Sequence, residues 1–189
     1  MKILSRQFYS RDPLEVAQEL IGKILVRQLD DVILKAVISE TEAYLGENDS
    51  ASHARNGPTT RNLPMYGSAG FSYVYFVYGR YHMLNIVTER ENEPSAVLIR
   101  AAKPLQGIRK MTEFRSHPRG KLLDGPGKIC QALNIDKSLN NWDLTCGRKL
   151  WLENFMDVPA EMIEKAPRIG IDYAEKKDRE ALLRFVLYE

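Results

Sequence analysis

The stretch that most constrains this chain is Phe71–Asn85, FSYVYFVYGRYHMLN. Apolar and aromatic residues run on both sides of Gly79-Arg80, the pattern of two strands joined by a tight turn. Gly79, as the first loop residue, suits a primed hairpin turn because glycine accepts positive φ without steric cost. Phe71, Tyr73, Tyr75, Phe76, Tyr78 and Tyr81 fall within eleven positions of a chain that is 9% aromatic overall. Tyr78 and Tyr81 flank the turn, where a hairpin normally meets water. Rings at that place add nothing to a sheet core and suit a surface that must push something flat into a stack.

The remainder reads as one domain spanning 1–189. A chain of 189 residues can bury a real core, and no shift in composition marks a second unit. Apolar residues make up 44% and charged ones 28%, as in ordinary soluble proteins. The first residues, MKILSRQFYSRD, lack the apolar run of a secretion signal, and no stretch approaches a membrane span, so a cytoplasmic location with no membrane partner is expected. Cys130 and Cys146 fit neither a disulfide framework nor a metal signature and read as reduced thiols.

The net charge of +2 hides an asymmetry. Between Arg100 and Lys128 stand eight basic residues (Arg100, Lys103, Arg109, Lys110, Arg115, Arg119, Lys121, Lys128) against only Glu113 and Asp124. This is either a solvated helical face or a phosphate-binding footprint.

Asp12-Pro13-Leu14-Glu15 has the marks of a helix start: a capping Asp, Pro in the first turn, and Glu three residues after the cap. Leu14, Ala17, Leu20 and Ile21 form its apolar stripe, and Gly22 ends it. Ile24–Leu29 and Val32–Tyr44 read as strands about an Asp30-Asp31 turn. In the second, alternation puts Ile38, Glu40, Glu42 and Tyr44 on one face, where a buried Glu42 would need partners or a task. Residues 46–70 lack periodicity and carry His53, Arg55 and Arg61, as a functional loop would. Beyond the hairpin, Ala96–Ala101 reads as a strand ending at Arg100, Leu105–Phe114 as a helix, and Ile129–Leu133 as a short helix opened by Gly125-Pro126-Gly127-Lys128. That opening is not a nucleotide P-loop, because Pro126 stands where the motif needs Lys. Exposed amides there could still hold a backbone phosphate. Trp142, Trp151 and strands over Ile169–Ile171 and Leu182–Tyr188 complete the core. From Glu153 onward acids outnumber bases nine to six, which argues against a nucleic-acid face.

Three histidines at 53, 82 and 117 have no ligand spacing, so metal-dependent hydrolysis is not indicated. No Ser or Cys nucleophile motif is present. A carboxylate among aromatic rings suits attack of water on a sugar carbon, whose transition state gathers positive charge. Glu40 and Glu42 lie about 6.6 Å apart along a strand rising roughly 3.3 Å per residue. A two-carboxylate carbohydrate hydrolase therefore stays open, as does a non-catalytic nucleic-acid-binding domain that stacks bases on the same rings. A ring at a hairpin tip beside a basic surface favours a base-flipping enzyme, which must fill the gap left by the extruded base.

ETEAYLG at Glu40–Gly46, Ala-Ser-His ending at His53, Thr60-Arg61-Asn62, YVYFVYG at Tyr73–Gly79, Asn85, VLIRA at Val97–Ala101 and GPGKICQAL at Gly125–Leu133 occur together in this order. The set closely resembles the alkyladenine (3-methyladenine) DNA glycosylases, from about Phe8 to the last strand. The resemblance implies a single mixed α/β (α+β) domain: a curved, largely antiparallel sheet with surrounding helices and a β-hairpin protruding toward DNA. It implies that Glu42 is the general base, that Arg100 helps position the attacking water, and that its charge keeps Glu42 ionised. Tyr44 would stack on one face of the flipped base, with His53 and Tyr75 against the other. Asn85 would sit at the pocket floor and discriminate against the guanine 2-amino group, and Tyr78 would enter the minor groove. Weaker phosphate roles fall to Arg55, Arg61 and Lys128. The implied substrate is double-stranded DNA carrying 3-methyladenine, hypoxanthine or another damaged purine, cut without metal, cofactor or strand cleavage; a monomer is expected, since an enzyme that tracks single lesions has no evident need for a partner. Arg80-Tyr81-His82 and Leu182-Leu183 depart from the family's usual residues.

Overall fold

The computed structural model describes residues 2–116, 118 and 120–188; His117 and Arg119 lie outside the described residues. Five short helices, α1 (Arg6–Tyr9), α2 (Pro13–Glu19), α3 (Ile108–Phe114), α4 (Pro126–Ala132) and α5 (Lys176–Glu180), surround the strands. These are β1 (Ile24–Leu29), β2 (Val32–Tyr44), β3 (Ser72–Val77), β4 (Tyr81–Thr88), β5 (Ser95–Gln106), β6 (Leu150–Glu153), β7 (Ile163–Ala166) and β8 (Arg184–Leu187). They pair antiparallel in one sheet of order β3-β4-β5-β2-β1-β6, with β8 bonded to β2 and to β7. The architecture is the expected mixed α/β domain, and the aromatic hairpin β3–β4 is the sheet's edge.

Local chemistry accounts for the main elements. The Asp12 side chain accepts the Leu14 amide at 2.7 Å and Pro13 occupies the first turn of α2. Val16, Ala17 and Leu20 of that helix pack on Leu34, Ile38, Val97 and Ile99 of the sheet, and Ile129 and Leu133 belong to the same core. Each such large side chain stabilises the fold by about 2 kcal/mol on burial.

β2 does not keep one face throughout. Ile38 pairs with Ala102, Glu40 with Ala101 and Thr41 with Ile99, so Ser39 is an extra residue on β2 and Arg100 an extra residue on β5. Before this point Leu34, Ala36 and Ile38 point into the core; beyond it Ala43 does, and the Thr41 hydroxyl donates to Ala17 of α2 at 2.7 Å. β5 changes in step, with Val97 and Ile99 in the core on one side and Ala102 on the other. Ile38 therefore does not share a face with Glu42, contrary to simple alternation. The first half of β2 pairs with β1 and the second with β8, so the sheet forks at the same level.

Other sequence expectations are adjusted. Leu105 and Gln106 continue β5 rather than starting the helix, which begins at Ile108. Residues 169–171 form a loop, and the strand expected there is the earlier β7. Residues 46–70 hold short 3₁₀ turns at Gly46–Asn48 and Leu63–Tyr66 and are tied down by Asn62, whose side chain donates to the carbonyls of His53 and Gly57. At the hairpin tip, Tyr78 (φ 55°) and Gly79 (φ 64°) are the two central residues of the turn, closed by the Arg80 amide donating to Val77 O at 3.2 Å. Tyr78 thus lies in the turn itself, not on a strand where alternation would aim it. Tyr81 is not a second tip ring: it lies on α4, so close that a Cβ on Gly127 would meet its ring at 3.0 Å. Gly127 serves this contact.

Candidate active site

The second half of β2 carries Glu42 and Tyr44 away from the core. Glu42 is fully buried. Its Oε1 accepts the Ile169 amide at 2.8 Å and lies 3.3 Å from Nη1 of Arg100; its Oε2 accepts the Tyr44 hydroxyl at 2.9 Å. Burial raises the Glu42 pKa, while Arg100, the Ile169 amide, the Tyr44 hydroxyl and Arg168 each pull it down. The net direction is upward, so Arg100 opposes protonation without cancelling the effect of burial. Arg100 is shared: its Nε donates to Glu40 at 3.1 Å, and Arg184 donates to the same Glu40 oxygen at 3.0 Å. Glu40 is thereby held by two guanidinium groups.

Above this carboxylate opens a cavity of about 580 Å³, the size range of a small-ligand site. Tyr44, His53, Tyr75, Asn85 and Arg100 all line it, and Tyr78 stands at its border, 80% exposed. Arg55 and Arg61 line it as well. Glu42 is not in the lining; it lies behind Tyr44, Arg100 and Ile169, which are. Lys128 stands apart and pairs with Asp124 at 2.6 Å.

The rings form a connected group. His53 meets Tyr75 with centroids 4.6 Å apart at 68°, and Tyr75 lies 5.2 Å from Tyr73. Nδ1 of His53 is 2.9 Å from the Tyr73 hydroxyl. His53 has an exposed edge, yet enclosure in the concavity and then the charges of Arg61 and Arg55 lower its pKa to about 4. It is a neutral ring near neutral pH, fit for stacking rather than for acid catalysis. The Arg61 guanidinium lies 5.1 Å over Tyr75. Asn85, buried opposite Tyr73, donates to that residue's carbonyl at 3.1 Å. Among the described residues no three of His, Cys, Asp and Glu converge where a metal ion could sit.

One wall was not anticipated. Ile169, Gly170, Ile171 and Tyr173, from the loop between β7 and α5, line the cavity. The Tyr173 hydroxyl donates to Ala51 O at 2.9 Å, and Arg55 lies 5.0 Å over its ring. The acidic bias after Glu153 pointed away from this segment, and a main-chain donor such as Ile169 N–H leaves no side-chain trace. The basic run from Arg100 to Lys128 is correspondingly less of a free footprint. Arg100 turns inward, Arg109 and Lys110 meet Glu113, and Arg115 donates to Leu122 O.

A buried carboxylate beneath a cavity walled by flat rings, with an exposed tyrosine on a left-handed turn at its rim, defines an enzyme-like site for a planar ligand. Comparison with known proteins specifies it further. A family model described as methylpurine-DNA glycosylase matches residues 7–189. A protein of Methanocella arvoryzae is 48% identical over 177 residues, covering 92% of this chain and 87% of the relative. One of Desulfitobacterium hafniense is 47% identical over 186 residues (93% and 91%), and one of Chlorobaculum parvum 48% over 173 residues (90% and 82%). Each bears the name "Putative 3-methyladenine DNA glycosylase". The chain belongs to the methylpurine-DNA glycosylase family. It is a DNA glycosylase of DNA repair, with DNA as its substrate. No helix among the described residues is long and apolar enough to cross a membrane.

Proposed function

We propose that this chain, as a single cytoplasmic glycosylase domain acting as a monomer, flips a damaged purine out of duplex DNA and hydrolyses its N-glycosidic bond. The observation that carries the reading is Glu42, fully buried behind the ring-lined cavity with its carboxylate fixed by three donors. An ionised carboxylate offers about four acceptor sites; with three used, Glu42 can still take a proton from water aimed at C1′. Arg100 orients that water and balances charge. The flipped base stacks between Tyr44 and the His53–Tyr75 pair, and Asn85 tests its edge against the guanine amino group. Tyr78 fills the gap in the duplex, and Arg55, Arg61 and Lys128 meet phosphates. Substrates are 3-methyladenine, hypoxanthine and related alkylated or deaminated purines, removed without a metal or organic cofactor.

The test is single-turnover excision from a duplex carrying one hypoxanthine, with wild type beside Glu42→Gln. Wild type should leave an abasic site, and the variant should lose about a thousandfold or more in rate while keeping lesion affinity. A variant as fast as wild type would remove Glu42 as the base. Absence of abasic product from wild type would favour a binding module, and cleavage of a simple glycoside would favour the sugar hydrolase.

A further inference from the structure

The amide that holds Oε1 of Glu42 comes from a loop, ordinarily a poor place for a fixed donor. The residue before it explains why it stays in place. The Arg168 side chain is wholly buried, and its guanidinium bridges three segments. Nη1 donates to Ala43 O at the end of β2 (3.0 Å) and to Oδ2 of Asp49 (2.5 Å); Nη2 donates to Oδ1 of Asp49 (2.8 Å) and to Asp178 O (3.3 Å). Asp49 in turn accepts the amides of Leu45 and Ala51, on the loop that leads to His53. The guanidinium carbon lies 4.7 Å over the Tyr44 ring.

Burying both charges of an ion pair costs desolvation energy that an apolar pair of the same shape would not incur. The return here is geometric. One bidentate contact ties together the strand bearing Glu42 and Tyr44, the loop bearing His53, and the loop bearing the Ile169 amide. A planar guanidinium fork can meet the carboxylate, two carbonyls and a ring at once; a lysine ammonium cannot.

We propose that Arg168, clamped by Asp49, is a positioning residue for base excision: it sets the Ile169 amide on Glu42 and backs the Tyr44 ring. This rests on the reading of Glu42 as the general base. Arg168 touches neither the reacting atoms nor the outer DNA surface, so its loss acts on the chemical step through Glu42 and on the seating of the base through Tyr44. The charged and titratable groups around Glu42 are Arg100 and Arg184 on the flanking strands, Tyr44 beside it, Tyr75 across the cavity, and Arg168. Of the cations, Arg100 contacts Glu42 directly and Arg184 is engaged by Glu40. Removing Arg168 withdraws its own charge and loosens the Ile169 donor, and both changes favour the protonated carboxyl.

The experiment measures single-turnover excision of hypoxanthine across pH for wild type, Arg168→Met and Arg168→Lys, with equilibrium binding of the same duplex and thermal midpoints. Arg168→Met should slow excision roughly tenfold or more and move the acid limb of the rate profile up by about one pH unit. Duplex affinity should change less than threefold. Arg168→Lys keeps the charge and should fall between the two in rate and limb position; it decides the matter if Arg168→Met does not fold. A folded Arg168→Lys with the wild-type rate and limb would overturn the proposal, as would a uniform loss of duplex affinity with the limb unmoved. If wild type itself releases no base, the proposed function fails instead, and the two failures are distinct.

Discussion

Tyr44 and Glu42 form one hydrogen-bonded unit: the phenol that borders the cavity donates to Oε2 of the buried carboxylate at 2.9 Å. The proposed stacking platform and the proposed general base are thereby mechanically linked, and a base seated against the ring would bear on the carboxylate's surroundings.

Tyr44→Phe separates the two roles. The ring remains, while a donor that lowers the Glu42 pKa is lost and one buried oxygen becomes under-satisfied. The sign follows directly: the Glu42 pKa rises further, so activity is lost at a higher pH as the medium is acidified. The acid limb of single-turnover excision should move up by as much as about one unit, with lesion affinity nearly unchanged. An unmoved limb would show that the phenol does not support the base.

Tyr78 combines high exposure with a positive φ of 55°, a conformation that costs a non-glycine residue on the order of 1 kcal/mol. Tyr78→Asn should relieve part of that cost, since Asn tolerates the left-handed region. The thermal midpoint should hold or rise, while excision from well-paired lesions falls about tenfold or more as the flipped state loses its wedge. Lesions in weak pairs should be less affected. Equal losses on both kinds of duplex would count against insertion of the ring.

Glu89 provides a stability test away from the site. Burial, then its hydrogen bond with Glu93 and the charges of Glu93 and Asp12, raise its pKa to about 7. A carboxyl raised in the fold is ionised earlier in the unfolded chain, so stability is lost as pH rises from about 4.5 through about 7. Glu89→Gln should therefore raise the thermal midpoint by about 2 °C at alkaline pH and change it little in acid. Calorimetry at the two pH values decides the sign.

Lys128 holds an exposed ion pair with Asp124, a kind of pair worth about 0–1 kcal/mol. Lys128→Ala should leave the fold intact. If the amine also meets a phosphate, the slope of log affinity against log salt should become shallower by about one. An unchanged slope would confine Lys128 to its helix.

Much of the site was legible because its parts carry side-chain signatures. The aromatic hairpin, the strand holding Glu42 and Tyr44, and the loop holding His53 all fall where their residue patterns point. What escaped has physical reasons. The extra residues at 39 and 100 are Ser and Arg, neither of which marks a bulge, so alternation from Ile38 runs to the wrong face. Tyr78 occupies a backbone region that its residue type rarely adopts, so the residue pattern places the turn one position late. The 167–173 wall enters through a main-chain amide and a cluster of loop contacts within a segment whose composition suggests the opposite of a DNA-facing role.

The matched irregularities at Ser39 and Arg100 have a consequence for how this enzyme can change. A strand's side chains repeat with period two, so one added residue is a half-period phase shift, and two facing strands must take it together to stay paired. Substituting Arg100 would remove a charge and leave the geometry. Were Ser39 paired in register instead of bulged, plain alternation from Ile38 would turn Glu40, Glu42 and Tyr44 toward the helices and present Thr41 and Ala43 to the cavity. The cavity face is specified by counting as much as by chemistry, and an unremarkable serine supplies the count.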